Sequence, residues 1–315
     1  MEELRFDGRT AIVTGAGGNP SLGRSHALLL AERGANVVVN DIGRLPAGLG
    51  YEGEANAQAV VEEIQAAGGK AVASTNSVAT QEGADAIVAT ALEAFGTVDI
   101  LVNNAGICPV VAFEEMDPAD FRQTIEVNLM GTVHTCRAAW GHMKATGYGR
   151  IVNISSGSMA GFAWQTAYAA AKGGVYSLTR ALAAEGAEHG IKSNSVIPGA
   201  LTRMVYAAQD EASSSFIAHA RQNLPPEIVS PAVAFLAHES VPFTGECIES
   251  IGGHVARFYL ARTPGFDDPA MTLETLADRW EDVFAGSPQG VSRHDDADPR
   301  DWSIKPYKPG WFETT

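Results

Sequence analysis

Short runs rich in β-branched residues recur along this chain, each separated from the next by a stretch long enough for a helix. They are Thr10–Thr14, Asn36–Asn40, Ala71–Thr75, Ile100–Asn103, Ile151–Ser155, Ser193–Ile197 and Cys247–Ser250. A strand that shows one face to water alternates apolar and polar residues, whereas these runs are continuous and so require burial on both faces. The intervening stretches Gly23–Arg33, Glu54–Ala67, Gln81–Phe95, Pro118–Thr146, Thr166–His189 and Pro231–His238 supply the covering layers. Parallel strands need crossovers of about a dozen residues, which these provide. The pattern predicts an α/β fold: one doubly wound parallel sheet of about seven strands with helices on both faces.

Composition shifts after Gly253, so one α/β domain is expected over residues 1–255 and a C-terminal extension over 256–315. In that extension Leu273, Leu276, Ala277, Trp280, Val283 and Phe284 recur at helical spacing, with Thr272 placed to cap the start. From Ser287 the chain turns rich in Pro, Asp and Gly, which reads as an extended tail, not an independent domain.

The 315 residues carry a formal charge of −15, which argues against nucleic acid or an anionic membrane surface as partner. Cys108, Cys136 and Cys247 are unpaired by spacing, as expected of reduced thiols in a cytoplasmic protein. The eight histidines lack a ligating spacing, so no metal is expected. No run of about eighteen apolar residues is present, and Met1–Arg5 lacks an apolar stretch following a basic one, so no secretory leader is expected.

The stretch Thr14-Gly15-Ala16-Gly17-Gly18-Asn19-Pro20-Ser21-Leu22-Gly23 lies between the first strand and the first helix. Glycines there let backbone approach a pyrophosphate that rests on the helix N-terminus, the arrangement of a Rossmann-type site. Gly15, Asn19, Ser21, Leu22 and Gly23 are the candidate contacts, although Asn19-Pro20-Ser21 lengthens the loop and displaces its middle glycine. Asp41 closes the second strand, where a carboxylate binds ribose hydroxyls and repels a 2′-phosphate. NAD is therefore expected over NADP, with Arg44 as a nearby cation.

Asn103-Asn104-Ala105-Gly106, Asn128, Ser155-Ser156 and Tyr168-Ala169-Ala170-Ala171-Lys172 stand in an order that resembles the short-chain dehydrogenases/reductases, over about residues 8 to 255. The chemistry accounts for the residue types. Oxidising an alcohol requires a base for its hydroxyl proton, and tyrosine, with a pKa near 10, must be brought toward neutrality by a neighbouring positive charge. Lys172 lies one helical turn from Tyr168 and can supply it. The resemblance further implies that Lys172 holds the nicotinamide ribose, that a serine hydroxyl bonds the substrate oxygen, and that Asn128 ties a water relay to the lysine. It also implies dinucleotide contacts from Ser77, Val78, Asn104, Ala105, Gly106, Pro198, Gly199, Leu201 and Thr202. Counting forward from the strand, the serine is Ser156; counting back thirteen residues from Tyr168, the usual separation, it is Ser155. Ser156 is preferred because strand ends hold side chains more rigidly than loops.

For the substrate, Val255–Gly265, Met271-Thr272-Leu273, Arg279-Trp280, Thr202-Arg203-Met204 and Ser77–Thr80 resemble the dehydrogenase modules of type 2 peroxisomal multifunctional enzymes. That similarity implies a (3R)-3-hydroxyacyl-CoA, or a steroid side chain carried as the thioester. Phe162 and Trp164 in the catalytic loop, and the few basic residues between Val205 and Pro226, keep open a free steroid, terpenoid or other hydrophobic alcohol. Arg or Lys at the cleft mouth would favour the thioester, and an apolar mouth the free alcohol. A non-catalytic dinucleotide sensor is the third reading, disfavoured by the intact proton-relay set. The family resemblance implies a homo-oligomer, a dimer or tetramer.

Overall fold

The computed structural model describes residues 3–43, 56–202, 222–286 and 289–290. Arg44, Arg203 and Met204, most of the segment between Val205 and Pro226, and the tail beyond Gly290 lie outside the described residues. The chain divides into two compact units, the first ending at Phe258 and the second beginning at Tyr259.

In the first unit the strands are β1 (Thr10–Thr14), β2 (Asn36–Asn40), β3 (Lys70–Ser74), β4 (Ile100–Asn103), β5 (Gly149–Ile154), β6 (Ile191–Gly199), β7 (Cys247–Ile251) and β8 (His254–Phe258). They form one sheet in the order β3-β2-β1-β4-β5-β6-β7-β8. The first seven are parallel, and each pairs in unbroken register, as in Val13 against Val39 on one side and Val102 on the other. Winding proceeds outward from β1 to β3, then restarts at β4 on the opposite side of β1. The carboxyl ends of β1 and β4 therefore diverge into a crevice, the place where open α/β sheets bind ligands.

The continuous apolar runs are explained by which face each residue meets. Val37 and Val39 enter one core with Val13, Ile64 and Leu236. Val38, between them, enters the other with Ile12, Leu101, Met143 and Ile151. All of these side chains are essentially fully buried, each contributing about 1.5–3 kcal/mol of transfer free energy. Helices α1 (Leu22–Glu32), α2 (Ala57–Ala66), α3 (Gln81–Phe95), α4 (Pro118–Ile125), α5 (Gly131–Thr146), α6 (Thr166–Gly186) and α7 (Ser230–Ala237) cover the sheet.

Two features differ from the expected pattern. An eighth strand, antiparallel to β7, extends the sheet. Gly252 and Gly253, at φ 56° and 84°, make the two-residue hairpin that joins them, a turn that requires positive φ at both positions. The stretch Pro118–Thr146 is also not one helix. A π turn at Glu126–Met130 separates α4 from α5, with the Gly131 N–H donating to the Glu126 carbonyl five residues back.

In the second unit, Met271–Phe284 forms two short helices, α8 (Leu273–Asp278) and α9 (Trp280–Phe284). Thr272 Oγ1 accepts from the Thr275 N–H at 3.1 Å, capping α8. Strands β9 (Ala261–Arg262) and β10 (Gln289–Gly290) pair antiparallel. No helix among the described residues is long and apolar enough to cross a membrane.

Candidate active site

A cleft of about 560 Å³ opens over the carboxyl ends of β1, β4, β5 and β6. Its floor is set by the glycine-rich loop. Gly15 has φ +64°, and a β-carbon there would lie 2.7 Å from the Ala105 Cα. At Gly23 a β-carbon would lie 2.4 Å from the Gly15 carbonyl oxygen. The loop and the end of β4 are thus in direct backbone contact, and a staple fixes them. Thr14 Oγ1 accepts from the N–H groups of Asn104 and Ala105, both at 3.0 Å. The Asn104 side-chain amide donates back to the carbonyls of Thr14 and Gly15 at 2.9 and 3.0 Å. Ser21 caps α1 by accepting from the Arg24 N–H at 3.2 Å. Ser21 and Leu22 line the cleft, so the first turn of α1 borders it, as an anion site needs. Asn19 is exposed and Gly23 buried, and neither lines the cleft.

Asp41 borders the cleft beyond β2. Its carboxylate accepts from the Gly17 N–H at 2.9 Å and the Gly43 N–H at 3.0 Å. It therefore clasps the glycine-rich loop as well as facing the cleft, a second task its sequence position does not reveal. Carboxylate oxygens carry about four lone-pair sites, so capacity remains for a ribose.

Ser156, Tyr168 and Lys172 line the same cleft. Lys172 is buried, and its Nζ donates to the Ile154 carbonyl at 2.7 Å. The Nζ lies 5.5 Å from the centroid of the Tyr168 ring. Burial lowers the Lys172 pKa to about 8, opposed by the nearby Cys108. The ammonium is still predominantly charged at neutral pH, and next to the phenol it favours the phenolate.

Asn128 lies behind these residues at the π turn, fully buried. Its Nδ2 donates to the carbonyls of Ile107 and Thr124 at 2.9 and 2.8 Å. Its Oδ1 has no hydrogen-bond partner among the described residues. A β-carbon on Gly106 would stand 2.5 Å from that Oδ1 and 3.7 Å from the Lys172 Nζ. The bare glycine thus leaves polar space between the two groups, and a buried acceptor needs a donor in it.

The two serines have different surroundings. Ser155 is 1% exposed, and its hydroxyl donates to the Lys172 carbonyl at 3.0 Å, tying β5 to α6. Ser156 is half-buried and its Oγ accepts from the Ser158 N–H at 3.1 Å.

Of the remaining candidates, Ser77, Val78, Asn104, Ala105, Gly106, Pro198 and Thr202 line the cleft. Gly199 and Leu201 do not. Gly199 packs under Ile251, and Leu201 is buried with its N–H on the Leu224 carbonyl at 2.7 Å. Sequence reasoning missed Ser158 and Gln165, which line the cleft, and Cys108, whose thiol burial pushes up to about 11. It also missed the different work of the paired asparagines. Asn103 points into the core, accepting from Thr135 Oγ1 at 2.6 Å and donating to Asn153 Oδ1 at 2.9 Å, while Asn104 serves the cleft.

Residues 9–213 match the family model described as short chain dehydrogenase. The chain is 41% identical over 288 residues to the Drosophila melanogaster peroxisomal multifunctional enzyme type 2, covering 89% of this chain and 46% of that enzyme. It spans less than half the length of such multifunctional relatives. It is 36% identical to the (2S)-[(R)-hydroxy(phenyl)methyl]succinyl-CoA dehydrogenase subunit BbsD of Thauera aromatica, covering 79% of this chain and 98% of that subunit. Among solved structures, a short chain dehydrogenase from Mycobacterium avium superposes with a TM-score of 0.74 at 38% identity, covering 90% of this chain and 97% of that one.

Proposed function

The chain belongs to the short-chain dehydrogenases, and from that premise we propose that it interconverts a secondary alcohol and its ketone with NAD, the substrate being a (3R)-3-hydroxyacyl-CoA. The observation that carries the reading is the convergence of Ser156, Tyr168 and Lys172 in one cleft whose far end holds Asp41. The bound nicotinamide supplies the hydride exchange. Gly15, Ser21, Leu22 and Asp41 would hold its adenosine and pyrophosphate half, and Asn104, Gly106, Lys172 and Thr202 the other. The fit rests on the capped α1 N-terminus and on the free lone pairs of Asp41.

Tyr168 takes the hydroxyl proton at its Oη during oxidation and returns it during reduction. Lys172 lowers the cost of the phenolate. An ordinary tyrosine has a pKa near 10, and the ammonium 5.5 Å from the Tyr168 ring centroid favours its ionised form. Ser156 donates to the substrate oxygen as charge develops there, while Ser155 is spent on the Lys172 carbonyl. Asn128 Oδ1 anchors a water that relays the proton past Lys172.

The thioester reading draws support from the identity to the multifunctional enzymes and to a relative named for a hydroxyacyl-CoA. A free hydrophobic alcohol is the second reading, favoured by one observation. Lys172 is the sole cation among the described residues that line the cleft, and Val110, Phe113, Phe162 and Trp164 on its two flanking loops are exposed apolar side chains.

The test is a dinucleotide-fluorescence screen with NAD and NADP against (3R)- and (3S)-hydroxyacyl-CoA thioesters and free steroid and terpenoid alcohols. Turnover of the (3R) thioester is expected, with NAD preferred at least about tenfold, equivalent to about 1.4 kcal/mol. Asp41→Ala should narrow that preference and, by releasing the Gly17 N–H, weaken NAD binding too. Efficient use of free alcohols with no thioester turnover would replace the substrate reading; preference for NADP would overturn the cofactor reading.

A further inference from the structure

The loop between β5 and α6 carries a polar chain that ends beside Tyr168. Gln165 directly precedes α6, one helical turn before Tyr168, and its backbone carbonyl accepts from the Ala169 N–H at 2.7 Å. Ser158 Oγ donates to Gln165 Oε1 at 2.6 Å. Ser156 Oγ donates to Ser158 Oγ at 3.1 Å and accepts from the Ser158 N–H at 3.1 Å. The direction is fixed by chemistry. A carboxamide oxygen only accepts, so the Ser158 proton is committed to Gln165 and Ser158 Oγ is left as an acceptor. Ser156 Oγ is then held by the Ser158 N–H, with its own proton resting on Ser158 Oγ and its role as a donor fixed.

We infer that Ser158 and Gln165 are positioning residues that set the place and donor polarity of the Ser156 hydroxyl relative to Tyr168. Ser156 and Tyr168 here are one residue closer in sequence than the usual separation. The 3₁₀ turn Gly157–Ala160 takes up the loop, with Gly161 at φ +96°. The chain through Ser158 connects that shortened loop to the first turn of the helix bearing Tyr168. When a substrate oxygen arrives, the Ser156 proton turns from Ser158 to it while the oxygen stays where the Ser158 N–H holds it. Ser158 keeps its donation to Gln165 throughout.

The inference rests on the assignment of Ser156 to the substrate oxygen, and a double-mutant cycle separates the two. Ser156→Ala should lower kcat about 10²-fold or more, as for loss of one oxyanion donor. Ser158→Ala should lower kcat on the order of tenfold with KM and dinucleotide affinity little changed, because misplacement by a fraction of an ångström acts on the chemical step. Gln165→Leu, which breaks the chain from its other end, should match it, and Ser158→Thr, which keeps the hydroxyl, should restore most of kcat. The decisive measurement is Ser158→Ala in the Ser156→Ala background, where it should have no further effect. Damage to the loop unrelated to Ser156 would lower kcat again by the same factor, and that result would overturn the inference. Undiminished turnover in Ser158→Ala beside an impaired Ser156→Ala would overturn the chain alone. Undiminished turnover in Ser156→Ala would overturn the Ser156 assignment and the chain with it.

Discussion

Lys172 places a cationic group in the interior, and that burden should be measurable as a pH-dependent term in stability. The side chain is 3% exposed, and burial lowers its pKa from 10.5 to about 8. Between those values the unfolded chain holds a proton that the folded chain has shed, so unfolding becomes less favourable as pH rises. Below about pH 8 both states are protonated and the fold bears the full penalty. Above about pH 10.5 neither is, and the penalty is gone. At roughly 1.4 kcal/mol per pH unit of displacement, the lysine should cost the fold about 3 kcal/mol at neutral pH. The comparison is between Tyr168→Phe and Tyr168→Phe/Lys172→Met, so that the neighbouring phenol does not titrate. Cys108, with its thiol pushed up to about 11, remains protonated through most of the window. Removing the Nζ also leaves the Ile154 carbonyl without its donor, but that loss does not vary with pH. Urea denaturation from about pH 7 to pH 10.5 should show the lysine-bearing protein gaining about 3 kcal/mol relative to the methionine variant. A difference that stays flat across this range would refute the argument that desolvation governs Lys172.

Tyr168→Phe should abolish turnover while leaving the dinucleotide Kd nearly unchanged, because it removes a proton acceptor and almost no volume; fluorescence titration and steady-state kinetics check both halves. Thr14→Val should cost about 1–3 kcal/mol in denaturation experiments, since the Asn104 and Ala105 N–H groups lose their shared acceptor. His26 is buried against Ser230, with Nδ1 to Oγ at 2.8 Å, and burial lowers its pKa from 6.5 to about 3. The unfolded chain therefore takes up a proton that the folded one does not as pH falls through that interval. His26→Leu should make the acid limb of stability shallower by about 1.4 kcal/mol per pH unit, read from denaturation midpoints at constant m-value.

The strands β1, β2 and β4 coincide with their sequence-read limits because each is a short run buried on both faces and closed by a polar or glycine-bearing turn. β8 was not legible, since its residues alternate only weakly and its one clear signal is the Gly252-Gly253 pair. The π turn escaped for a different reason. A side-chain amide that takes the Thr124 carbonyl alters backbone bonding without altering the apolar period on either side. At the cleft, Tyr168 and Lys172 were readable because their spacing is helical and local. The Asp41 clasp on Gly17 and the Ser156–Ser158–Gln165 chain were not, because those partners meet only once loops of a particular length have closed.

The π turn between α4 and α5 also governs which length changes the fold tolerates. It is in effect one residue more than a continuous α-helix would hold. Deleting a residue between Glu126 and Met130 would therefore close the widened turn and let the helix run straight through with the faces on both sides kept, whereas deleting one between Gly131 and Thr135 would turn everything beyond by about 100° and draw it back by about 1.5 Å. Cys136, Ala139 and Met143, which α5 now buries in the core with Ile12 and Leu101, would swing toward water. Their exposed neighbours on the helix would be driven inward in their place. The π turn therefore absorbs a one-residue change of length that α5 itself would pass on to its whole buried face, while Asn128 within it and Gly131 beside it resist exchange, the one being fully buried and the other having Val78 packed against it.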